Sequence, residues 1–183
     1  MRRLLGEHDV GGVYFGHGRY LSKTTDSDMM PLMRRYENNV MMIDRFAESH
    51  PDTDISVEVV PTAGCALWDD LPSGAYMYND SVFFNMVLSI PIKEGLDYFR
   101  TDHHWTTNGA KAGAQAFLGK EVNLPLRTVE GDFYGTLYSK APYAQAPSDV
   151  LKVPEVSADI SVVWDEDEST RSDSIYREEF FKK

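Results

Sequence analysis

Between residues 30 and 48 the apolar side chains Met33, Tyr36, Val40, Ile43 and Ala47 recur every three or four positions, which commits the segment to an amphipathic helix. Pro31 is acceptable in a first turn, and Asp28 is available as a cap. Pro51-Asp52-Thr53-Asp54 then breaks the helix, and Ile55-Ser56-Val57-Glu58-Val59-Val60-Pro61 has the β-branched alternation of a strand. Helix, turn and strand in direct succession predict an α/β layer.

The remaining elements follow from local chemistry. Val13-Tyr14-Phe15-Gly16 and Arg19-Tyr20-Leu21 read as a short hairpin, with glycines on either side of His17. Residues 63–79 are loop-like, and residues 80–90 form an apolar run that periodicity alone does not assign, with a helix preferred. A helix is expected from residue 107 to 118, where Ala110, Ala112, Gly113, Ala114 and Ala116 leave room for close approach to another backbone. Residues 132–140 are an aromatic segment, 141–154 an irregular one, and 160–164 a strand. The acidic run Asp165-Glu166-Asp167-Glu168 lacks the alternating ligands and glycine of a calcium loop, so a solvated turn in a polar tail is expected over residues 165–183.

A chain of 183 residues with 42% hydrophobic content has the length and apolar content of one domain, here residues 1–164. Its formal charge of −11 repels phosphate backbones and anionic lipid, which argues against nucleic acid as a partner. One cysteine, Cys65, excludes an intrachain disulfide and any zinc site of several thiolates. Met1-Arg2-Arg3-Leu4-Leu5 begins like a signal peptide, but Gly6-Glu7-His8-Asp9 replaces the apolar region, so no export signal is expected. No stretch approaches the roughly 20 apolar residues of a membrane span.

Chemistry concentrates in Thr101-Asp102-His103-His104-Trp105-Thr106, which holds two of the five histidines. A structural role is one reading, with Asp102 capping a turn, Trp105 in the core and ordinary histidines. Metal ligation is disfavoured, because adjacent residues diverge on strands and helices, and the helical His-Glu-x-x-His motif is absent. No metal and no cofactor are therefore expected. The third reading uses the two-residue spacing: in extended backbone Asp102 and His104 face the same side, so the carboxylate can orient the imidazole as a general base. Trp105, Tyr134, Tyr138 and Tyr143 offer an alternative as a glycan-binding groove, although such aromatics more often pack in cores.

Thr-Asp-x-His-Trp-Thr followed by Asn-Gly-Ala resembles the signature of the bacterial DHHW family, which is similar to the SGNH-hydrolase-like alginate O-acetyltransferase group. Further matching residues are Gly12-Val13-Tyr14-Phe15-Gly16, Val60-Pro61-Thr62-Ala63, Leu71-Pro72, Tyr98-Phe99-Arg100 and Asp132-Phe133-Tyr134-Gly135-Thr136-Leu137-Tyr138-Ser139-Lys140. The resemblance implies an SGNH-hydrolase-like α/β fold, a flavodoxin-like sandwich, with Asp102 and His104 as acid and base of a Ser-His-Asp triad; it gives His103 no role. It also implies an acylated polysaccharide as partner and an extracellular or cell-surface location. The triad serine of relatives follows a buried strand downstream. Asp173-Ser174-Ile175 imitates that dipeptide, but polar residues 165–172 precede it, so Ser174 is disfavoured and the nucleophile is expected to be missing. The span from Leu71 to Asp102 is shorter than the family pattern, so the domain is expected to be partial or truncated.

Overall fold

The computed structural model describes residues 9–80, 97–155, 161–164, 167–172 and 176. The apolar run after Asp80 and the Asp173-Ser174-Ile175 triplet lie outside them. Asp9–Val10 (β1), Val13–Phe15 (β2) and Tyr20–Ser22 (β3) form an antiparallel three-stranded sheet in the order β1-β2-β3. The β2–β3 hairpin is the expected one, pairing Tyr14 with Leu21 and Phe15 with Tyr20.

Successive residues of a strand face opposite ways, and this hairpin is covered on both sides. Tyr14 and Leu21 enter one core cluster with Ala63, Leu71, Met77 and Tyr98, against which Trp105 packs. Val13 and Tyr20 enter a second with Leu137 and Ala141. The hairpin therefore divides the core, and the segments that flank the candidate site, around Tyr98 and Leu137, are pinned to its opposite faces.

The first helix, Asp26–Ser49 (α1), starts earlier than its apolar stripe, so Pro31 falls in the second turn. Thr25 is its cap: the Thr25 N–H donates to Asp28 Oδ2 at 2.8 Å in a capping box. Met33, Tyr36, Val40, Ile43 and Ala47 are half-buried, and no residue of α1 is fully buried. Residues 55–61, expected as a strand, belong to no strand among the described residues.

Where a loop is expected, Ala63–Ala66 (α2) and a 3₁₀ turn at Trp68–Asp70 form instead. Thr107–Leu118 (α3) has the expected bounds: Thr106 Oγ1 accepts from Gly109 N at 3.1 Å, and Gly119 ends the helix at φ +61. Thr136–Lys140 (α4) lies inside the aromatic segment, and Leu126–Thr128 (β4) pairs with Lys152–Pro154 (β5) in the stretch expected to be irregular. Val162–Trp164 (β6) pairs with Asp167–Ser172 (β7), so part of the polar tail is a strand. Backbone pairing in a two-stranded ribbon needs no apolar side chains, which is why charge alone misplaced it. The chain is thus mixed α/β with small sheets, and all strand pairs among the described residues are antiparallel.

Candidate functional site

The hexapeptide is the tip of a turn. Tyr98 and Trp105 form an antiparallel bridge, Phe99 N donates to His104 O at 3.2 Å, and Thr106 N donates to Asp97 O at 2.8 Å. Residues 100–104 bend between these ties, so the extended backbone expected for Asp102 and His104 is not what joins them. Asp102 instead folds onto its own backbone two residues ahead: Oδ1 accepts from His104 N at 2.9 Å and from His104 Nδ1 at 2.5 Å. The predicted pair is present, made by an Asp-type turn.

The other carboxylate oxygen is held from across the fold. Thr136, the first residue of α4, donates its N–H to Asp102 Oδ2 at 2.7 Å, as helix N-termini do for anions. Gly135 N donates to Thr101 Oγ1 at 3.0 Å, while Leu137 N and Tyr138 N donate to Thr101 O. The Thr101 side is fixed in turn by Asp149. Its Oδ2 accepts from Arg100 N at 2.6 Å and Thr101 N at 3.3 Å, and its Oδ1 meets Arg100 Nε at 3.3 Å.

The Asp102 side chain is 5% exposed and the His104 side chain 68% exposed, so a buried anion sits beneath an open imidazole. Burial pushes the Asp102 carboxyl up, but hydrogen bonds donated by the backbone of Thr136 and His104 and by their side chains outweigh it and hold it at about 2, from an ordinary 3.8. Because the folded carboxyl binds its proton less tightly, its contribution to stability is complete above the unfolded value and is lost as pH falls toward about 2. That contribution is about 2 kcal/mol. Denaturant midpoints should therefore drop between about pH 4 and pH 2, and Asp102→Asn should flatten that part of the curve.

Gly135 is required by this proximity rather than by its backbone angles. A Cβ there would lie 2.3 Å from Asp102 Cβ and 2.5 Å from Oδ2. Gly135→Ala should lower stability by about 2 kcal/mol through overpacking, read as a lower urea midpoint, and should displace the carboxylate from Thr136.

Ligand atoms of Asp102, His103 and His104 lie within 4.8 Å of one another, so these three could hold a metal. The bend turns the two adjacent rings together, with centroids 3.9 Å apart, contrary to the expected divergence. However, the 2.5 Å separation of His104 Nδ1 and Asp102 Oδ1 is that of a shared proton. Two ligands of one ion at about 2.0–2.2 Å in tetrahedral geometry sit farther apart than that.

Of the expected aromatic residues, Trp105 is half-buried against the Tyr98 ring and over Gly113, where a Cβ would lie 2.4 Å from its ring; the small residues of α3 make room for an indole as well as for backbone. Tyr134 is exposed and stacks on Tyr138, with centroids 4.7 Å apart, while Tyr138 packs against the second core cluster. Tyr143 donates to Gln145 Oε1. A cleft of about 240 Å³ beside the hexapeptide is lined by Arg100, Thr106, Asn108, Asp149 and Lys152 among others.

Sequence reasoning missed Asp149, Thr101 and the two-sided use of Thr136. A Gly-Thr pair ahead of a short helix was a usable sign for Thr136, since helix N-termini present free N–H groups. Nothing local marks Asp149.

An acid–imidazole pair on a mixed α/β scaffold is the class of site these residues define. No family model matches the chain, and no curated protein matches it. Among solved structures it is similar to the O-acetyltransferase domain of Pseudomonas putida AlgJ, with a TM-score of 0.53 and 14% identity over 78% of this chain and 66% of that one. The fold is therefore similar to that of this neighbouring domain, and the chain spans about two thirds of that chain's length.

Proposed function

We propose that this chain carries the acid–base half of an acetyl-transfer site, in a partial SGNH-hydrolase-like domain of the DHHW type. The observation that carries the reading is the Asp102–His104 pair, a buried carboxylate at 2.5 Å from the Nδ1 of an exposed imidazole. Asp102 keeps the proton on Nδ1, leaving the outer nitrogen to act as base. A hydroxyl nucleophile attacks the acetyl carbonyl and gives its proton to that nitrogen. The tetrahedral adduct collapses, the ester oxygen takes the proton from His104, and the acetyl group remains on the nucleophile until an acceptor hydroxyl or water removes it. No nucleophile is assigned: the resemblance disfavours Ser174, which lies outside the described residues, and labelling by an activated acetyl ester decides whether the chain carries one. No metal or cofactor enters these steps.

The partner proposed is an acylated carbohydrate or polysaccharide at a cell surface, and the location rests on resemblance alone. The exposed Tyr134 ring next to Gly135, whose neighbour Thr136 holds Asp102, suits the face of a sugar. Nucleic acid is disfavoured by the charge of −11. Among the described residues no helix is long and apolar enough to cross a membrane. Non-catalytic glycan binding is the alternative, favoured by the Tyr134–Tyr138 stack. Acetyl-ester hydrolysis by the parent, His104→Ala and Asp102→Asn chains separates the two. Turnover lost in both variants supports acyl transfer, and a parent that binds glycan without turnover supports the alternative.

A further inference from the structure

His104 is tied through one ring nitrogen alone, so rocking of the ring about that hydrogen bond still carries its outer nitrogen through a short arc. Its neighbour limits that arc. The His103 ring lies against it at 3.9 Å between centroids and 38° between planes, although both side chains are at least half exposed. Exposed adjacent rings have no burial to hold them together, so the contact needs a tether. One is present: His103 Nδ1 shares a hydrogen bond with Thr136 Oγ1 at 3.0 Å and lies 3.6 Å from Asp102 Oδ1. Thr136 thus serves both rings, its N–H and hydroxyl holding Asp102 under His104 and its hydroxyl oxygen also meeting His103 Nδ1 beside it.

We propose that His103, latched by the Thr136 hydroxyl, is a positioning residue that braces the His104 ring and sets the direction of its outer nitrogen. This rests on the reading of Asp102 and His104 as an acid–base pair. Misplacing a reacting group by about 1 Å can cost about 10²-fold, and loss of one brace on a ring still tied to Asp102 should cost about 10-fold in kcat with KM little changed.

The test uses p-nitrophenyl acetate turnover and the downfield proton resonance of the His104 Nδ1–H, a readout that needs no turnover. His103→Ala and Thr136→Val should each lower kcat about 10-fold and broaden the resonance. The double variant should be no worse than Thr136→Val alone, because that change already removes the tether of His103 along with the hydroxyl's bond to Asp102. His103→Phe, which keeps a ring against His104, should retain the resonance better than His103→Ala, and Thr136→Ser should recover most of what Thr136→Val loses. An unchanged resonance and kcat in His103→Ala would overturn the brace, as would losses that multiply in the double variant. Resonance changes as expected with no turnover in any chain would leave the brace standing and count against acyl transfer instead.

Discussion

Alanine at position 104 is expected to lower acetyl-ester turnover by about 10²–10⁴-fold, the usual contribution of a positioned general base. The loss should fall on kcat, because the imidazole acts on a proton in flight rather than on the resting ester. Asp102→Asn should produce a loss of the same order without removing the ring. An amide at 102 can still accept through one oxygen, but its NH₂ competes for the position that Nδ1–H now fills at 2.5 Å, and the ring is then free to adopt the tautomer that cannot take a proton. Steady-state kinetics on the two variants, with circular dichroism to show that both fold, checks the expectation. Equal turnover in parent and His104→Ala would remove the imidazole from the chemistry.

The second large effect is expected away from the imidazole, at Asp149. Its carboxylate is buried and accepts two backbone N–H groups, from Arg100 and Thr101, while its own backbone is bridged to Phe133. It therefore ties together the turn that carries Asp102 and the segment that leads to Thr136. Asp149→Ala leaves those donors without their acceptor, at a cost of about 3 kcal/mol. For a chain of this size that corresponds to a fall in Tm of about 6–12 °C. Asp149→Asn, which keeps an acceptor oxygen, should lose about half as much. Thermal unfolding of both variants measures this, and a change below about 0.5 kcal/mol in Asp149→Ala, the range of ordinary surface substitutions, would show that the carboxylate does not hold the turn.

Elements defined by their own residues were legible in the sequence. The stripe from Met33 to Ala47 gave α1, the glycines around His17 gave the β2–β3 hairpin, and the small-residue run from Thr107 to Leu118 gave α3. Elements defined by a distant partner were not. Residues 55–61 alternate as a strand should, but alternation does not say which segment a strand would pair with. The three residues of β5 are too short for any period to show, and their partner β4 lies more than 20 positions earlier. The site divides the same way. Spacing brought Asp102 to His104, although through a bend rather than an extended strand, whereas Thr136 and Asp149 reach the turn from 34 and 49 positions away. Such contacts leave no local pattern. The packing of Trp105 over Gly113 is of the same kind, since the small residues of α3 show room for a neighbour and do not say which one fills it.

The pairing of Asp102 with His104 as the acid–base half of an acetyl-transfer site is tested most directly by intact-mass spectrometry after incubation with an activated acetyl ester. One added acetyl group in the parent chain, absent from both Asp102→Asn and His104→Ala, is the predicted result. Acetylation to the same extent in all three chains, or in none of them, would contradict it.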